Sequence, residues 1–174
     1  MLLDLLGKRL MNIDISPPKE KAKKSYSENK QLFAHLKRKK PKNLDDVFHE
    51  LHQEAFRQID CLACANCCKT TSPIFYQRDI ERLAKFLKVR PSEFIEKYLH
   101  IDEEQDYVLN SAPCPFLDAE NYCTVYEARP TACREYPHTN RKRMVQILDL
   151  TLKNIEICPA VFWIVERMKE QIGK

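Results

Sequence analysis

Cys61, Cys64, Cys67 and Cys68 put four thiols into eight residues, and four more follow at Cys114, Cys123, Cys133 and Cys158. Metal binding is the chemistry that best explains such density. The spacing Cys61-x2-Cys64-x2-Cys67 is the one by which ferredoxin-type loops give three thiolates to one 4Fe–4S cluster, with a fourth from elsewhere, often before proline. Cys114-Pro115 and Cys158-Pro159 both offer such a fourth ligand. Zinc fits the same residues, because two residues between cysteines let both sulfurs face one tetrahedral ion. The triple spacing and the Cys-Pro pairs tilt the reading toward iron–sulfur. Cys67 and Cys68 are neighbours, and adjacent side chains tend to diverge, so one small ion should not take both. Cys68 is then expected to serve a second centre or a larger cluster. Eight thiols would fill two four-cysteine sites, but the spacing does not say which four share one. It is not the x3-x2 pattern of radical SAM enzymes.

Disulfides are the competing use of eight cysteines. The stretch Met1 to Met11 is apolar but is interrupted by Asp4, Lys8 and Arg9, and Met11 is itself a candidate start. It offers no small-residue cleavage site and is too short to span a bilayer; no later stretch is apolar for eighteen residues. The chain therefore reads as cytoplasmic, where thiols stay reduced, with no membrane partner. Its two glycines are Gly7 and Gly173. With none between them, neither a phosphate-cradling P-loop nor a GxGxxG dinucleotide turn can be written, and a glycine-rich SAM-binding Rossmann domain is disfavoured too.

Other residues are weaker candidates. Arg129 and Arg134 bracket Cys133, where cations favour thiolates; pairing with surface carboxylates is the plainer role. His49 and His52 lie three apart on a predicted helix and share a face, and His138 follows Pro137 near the cysteines, yet solvent-facing roles suit them better. Glu127 and Glu135 flank the Arg-Pro-Cys segment and are read as arginine partners before acid–base groups.

The elements that must carry these residues read as mainly α with a small β-hairpin, a cysteine-rich domain built around a metal centre. Leu44, Phe48, Leu51, Ala55 and Ile59 recur at helical spacing and deliver the chain into Cys61. Further helices are expected at Gln77–Lys88, at Pro91–Leu99 with proline at its first position, at Met144–Lys153, and from Pro159 to Gln171. Thr131–Tyr136 predicts one helical turn. Tyr107–Asn110 and Asn121–Tyr126 predict the hairpin strands. Between Pro17 and Asn43, ten basic residues against Glu20 and Glu28 give +8; the whole chain is +4, so the rest sums to −4. The expected division is a basic, partly disordered or helical arm over 1–43, with a short helix near Glu28–Lys37, and a cysteine-cluster domain over 44–174. The arm is read as solvated in preference to contacting nucleic acid or an acidic partner.

Three stretches carry a resemblance. Cys61–Cys68 reads CxxCxxCC, Cys114–Leu117 reads CPFL, and Cys123–Pro137 reads CxVYExRPxxCRxYP. Together they resemble the YkgJ-type cysteine-cluster proteins, described as chelating zinc or iron, over about Cys61 to Pro137 and on toward Cys158. The resemblance implies a metal centre and no particular reaction. Members of the family commonly carry glycine inside the first motif, where this chain has Ala65-Asn66; asparagine accommodates a left-handed turn there. Distant relatives include flagellin lysine N-methylase, which implies a metal- or cluster-dependent protein-modifying transferase as an alternative. A nucleic-acid-binding module with a structural metal is the second alternative.

Overall fold

The computed structural model describes residues 13–172; the apolar stretch at Met1–Met11 lies outside them. In chain order the helices are α1 (Lys19–Lys24), α2 (Tyr26–Lys39), α3 (Leu44–Phe56), α4 (Cys61–Cys64), α5 (Asn66–Thr70), α6 (Gln77–Leu87) and α7 (Pro91–Tyr98). The strands β1 (Leu99–Ile101) and β2 (Tyr107–Leu109) come next, followed by α8 (Thr131–Glu135), α9 (Leu148–Ile155) and α10 (Pro159–Ile172). The protein is mainly helical with one two-stranded antiparallel hairpin among the described residues. The chain divides into two units, one taking residues up to Cys64 and again from Pro137, the other Ala65–Tyr136.

The first unit is built on α3 and α10. The predicted stripe of α3 is buried at Leu44, Phe48, Leu51 and Ala55, and it packs with Val161, Ile164, Val165 and Met168 of α10. Pro159 opens α10 where its missing N–H costs nothing. Phe33 and Leu36 of α2 join the same core beside α9. The predicted short helix near Glu28–Lys37 is therefore part of a longer one, and Lys37 Nζ lies 2.6 Å from Asp149 of α9. Met144–Lys153 divides into a 3-10 turn at Met144–Ile147 and then α9. Asp45, in the first turn of α3, accepts the backbone N–H groups of Arg143 and Met144 at 2.7 and 2.8 Å.

The second unit gathers Ile80, Leu83 and Ala84 of α6, Phe94 of α7, Leu99, Leu109, Phe116 and Val125. The hairpin forms with a different partner from the one expected. Tyr107–Leu109 pairs with Leu99–Ile101, in register Leu99↔Leu109, whereas Asn121–Tyr126 forms a loop with one isolated bridge, Leu117↔Cys123. The reason lies at Asp102. Its carboxylate accepts the N–H groups of Glu104 and Asp106 at 3.0 and 2.9 Å and closes a tight turn, so Leu99 leaves α7 extended instead of ending it.

Candidate metal centre

Four thiols of the second unit share one neighbourhood. Cys68 sits on α5, Cys133 on α8, and Cys114 and Cys123 on the loop between β2 and α8. The backbone N–H of Cys114 donates to the carbonyl of Cys68 at 2.8 Å, joining those two segments directly. Cys123 is returned toward Cys114 by the Leu117↔Cys123 bridge and by the Thr124 N–H donating to the Phe116 carbonyl at 2.8 Å. Both cysteines pack against the Phe94–Phe116 core. The charges that bear on Cys133 are those of Cys68, Cys114 and Cys123, so all four sulfurs lie within electrostatic reach of one another.

Cys133 is held by residues that the cysteine pattern does not reveal. Asp79 on α6 is fully buried. Its Oδ1 accepts the Thr131 backbone N–H at 3.1 Å and the Thr131 hydroxyl at 2.9 Å. Arg82, one turn along, donates to Asp79 at 2.6 Å and to the carbonyls of Ala128 and Arg129 at 3.1 and 2.8 Å. A carboxylate and a guanidinium from one helix thus fix the Arg129-Pro130-Thr131 segment that leads into Cys133. Burial alone would raise the Asp79 pKa, but the bonds from Arg82, Thr131 and Tyr76 outweigh it and hold the carboxyl below its ordinary value. The only signal in the sequence was an acid three residues into a helix.

The surroundings set each thiol differently. Contact with the Cys67 thiol, 3.9 Å away, lowers Cys68 to about 7; burial opposes this and Lys69 assists it. That distance is close to the edge of a tetrahedral thiolate site, roughly 3.8 Å for Zn–S bonds of about 2.3 Å, so the neighbouring side chains do not diverge as expected. Burial raises Cys133 to about 12, with the other three sulfurs adding to it and Arg129 opposing. Burial also raises Cys114 and Cys123, while backbone N–H groups of Phe116 and Leu117 lower the first and that of Val125 lowers the second. Backbone N–H groups aimed at sulfur are the donors that thiolate centres use to stabilise their charge.

Arg129 lies with its guanidinium 3.6 Å from the Tyr126 ring centroid and favours the thiolate forms of Cys123 and Cys133. Arg134 instead donates to the Arg129 and Glu127 carbonyls at 3.1 and 3.0 Å. The histidines serve the first unit. His49 Nε2 bonds the Arg141 carbonyl at 3.0 Å and His52 Nδ1 the Thr139 hydroxyl at 2.8 Å.

The remaining cysteines, Cys61, Cys64 and Cys158, fall in the first unit. Cys61 and Cys64 occupy the two ends of the single turn α4, anchored by Asp60, whose carboxylate accepts the Leu62 N–H at 2.9 Å. Cys158 precedes α10 and its sulfur accepts the N–H groups of Ala160 and Val161; burial nonetheless raises it to about 11, with Cys61 and Cys64 adding to the shift. All eight cysteines are free thiols, Cys61 exposed and the others partly buried. Ala65, not Asn66, takes the left-handed conformation in the first motif, at φ 48°.

Among the described residues, no three His, Cys, Asp or Glu side chains are disposed, as they stand, to grip an ion. The quartet is a set of neighbours, not a finished coordination shell. Its chemistry nonetheless fits a thiophilic metal, because the donors are soft sulfurs held from several segments with N–H groups directed at them. Such a group, when bound, supplies either a structural tie between segments or a site for electron transfer.

A mainly helical fold with clustered thiols defines a cysteine-rich metal-chelating domain. The family model CxxCxxCC, described as "Putative zinc- or iron-chelating domain", matches residues 60–158. The chain belongs to this family. No curated protein and no solved structure is significantly similar to it. Among the described residues no helix is long and apolar enough to cross a membrane.

Proposed function

We propose that Cys68, Cys114, Cys123 and Cys133 hold a metal centre, with an iron–sulfur cluster favoured over zinc, and that this binding is what the protein does in the cytoplasm. The observation carrying this reading is the gathering of four thiols from α5, α8 and the intervening loop, with backbone N–H groups directed at Cys114 and Cys123. The preference for iron–sulfur rests on the Cys61-x2-Cys64-x2-Cys67 spacing and the cysteines before proline. Each protonated thiol surrenders its proton to solvent as its sulfur bonds the metal, so loading is coupled to pH and to folding. Arg129 offsets part of the negative charge that this leaves.

The test is anaerobic purification followed by iron, zinc and acid-labile sulfide analysis and a visible spectrum. Iron with matching sulfide and a broad visible absorption is the expected result. Stoichiometric zinc without sulfide would replace the cluster by an ion at the same thiols. Wild-type metal content in a Cys114→Ser/Cys133→Ser variant would overturn the site.

A further inference from the structure

We propose that Cys61, Cys64 and Cys158 form a second thiolate metal centre, separate from the quartet and lying within the unit built from the two ends of the chain. The inference rests on the reading of the quartet as a metal site, and it assigns the thiols that the quartet leaves over.

Its argument begins with α3 and α10. Their buried faces pack together through Phe48, Leu51 and Ala55 on one side and Val161, Ile164 and Val165 on the other. The chain leaving α3 stays anchored through Ile59, which is buried in the same core, and enters α4 two residues later. Cys158 packs against that core immediately before α10. In α4 the two thiols stand three residues apart, which places them on neighbouring positions of one helical face. The Asp60 carboxylate fixes that turn from its start.

Cys158 contributes a different kind of donor. Its sulfur stands where a capping oxygen ordinarily would and receives the N–H groups of Ala160 and Val161. The fourteen-residue α10 has its positive end there, and a thiolate is the form that such an end stabilises. The negative charges that bear on this sulfur are Cys61 and Cys64. Three soft donors from segments nearly a hundred residues apart in sequence therefore face one locality. The ligand this suits is a thiophilic metal, as an ion or as the iron of a cluster. Three thiolates leave a coordination position to one further donor.

Metal, sulfide and spectrum should be measured on anaerobically purified wild type, Cys61→Ser/Cys158→Ser and Cys114→Ser/Cys133→Ser, each checked by circular dichroism. The expected result is that each variant loses part of the wild-type metal and that the two losses are complementary. If the Cys61/Cys158 variant keeps all wild-type metal while the Cys114/Cys133 variant loses it, the second centre is wrong and the quartet stands. If either pair of changes removes all the metal from a folded protein, the thiols serve one shared centre and the proposal fails. Should both variants keep everything, both readings fall. A second measurement guards against misfolding. Wild-type apoprotein, stripped of metal and reduced, is titrated with Co2+ and followed by its sulfur-to-metal absorption. Two saturating steps are expected; saturation at one equivalent overturns the second centre.

Discussion

Cys68 and Cys133 show how far position in the fold separates residues of one type. With Cys68 lowered to about 7 and Cys133 raised to about 12, alkylation of the reduced apoprotein by iodoacetamide at neutral pH should mark Cys68 well before Cys133 or Cys158. The sign follows from the cause. Removing the neighbouring thiol in Cys67→Ser withdraws the largest influence lowering Cys68, so its labelling rate at pH 7 should fall and recover as pH rises. Peptide mass mapping reads both results. Ala65 makes a second case. A left-handed conformation costs a residue with a Cβ roughly 1–2 kcal/mol, part of which glycine returns as greater freedom in the unfolded chain. Ala65→Gly should therefore raise stability by up to about 1 kcal/mol in denaturant unfolding, with metal content unchanged. The sequence made the eight thiols and the need for a left-handed residue in the first motif legible. It misplaced that residue by one, because asparagine's tolerance of the conformation says nothing about where the turn falls.

Helices that bury a clear stripe were readable in advance, and short elements were not. The α3, α6, α7 and α10 spans match their apolar spacing within a few residues. The hairpin was assigned the wrong partner because three residues after a helix carry too little pattern, and the Asp102 side chain decides the turn. The brace from α6 was invisible for a similar reason, since Asp79 and Arg82 contact residues 46 to 52 positions away. Asp79→Asn should cost about 1–3 kcal/mol, the usual range for breaking a buried, charge-assisted network, and should weaken metal retention by loosening the loop before Cys133. Arg82→Met should share the metal defect. The folded-state pKa of Asp79 is depressed, so its contribution is present above the unfolded carboxylate value of about 4 and is lost as pH falls through the folded value. Asp79→Asn should accordingly flatten part of the acid limb of stability against pH, as read from urea unfolding at several pH values.

At the scale of the whole molecule, a chain with no glycine from residue 8 to 172 must still turn. Lys40, Ala65, Lys88, Gln105, Asn121, His138 and Arg143 take left-handed conformations, two of them, Lys40 and Lys88, as the C-caps of α2 and α6. Glycine is the common solution at such ends. Lys88→Gly should therefore stabilise by about 0.5–1 kcal/mol, seen as a higher melting temperature. Metal removal should act in the opposite direction and more strongly. If the thiols of the second unit tie α5, the loop and α8 together, chelation should lower the melting temperature, and reloading should restore it and release protons. The loss of metal should steepen as pH falls, because three of the four quartet thiols have raised pKa values.

The first unit is discontinuous in the chain, and residues 65–136 are an unbroken stretch between its halves. A ribosome delivers residues in order, at roughly 5–20 per second. The stretch ending at Tyr136 can collapse about the Phe94 and Phe116 core while residues still to be made include all of α10. The α3 stripe must meanwhile wait for Val161, Ile164 and Met168, more than a hundred positions downstream of Phe48. During that interval it is an exposed apolar helix face on an unfinished chain. Newly made protein is therefore expected to need protection at α3 rather than at α6, and arrested nascent chains probed by limited proteolysis should show residues 65–136 resistant first.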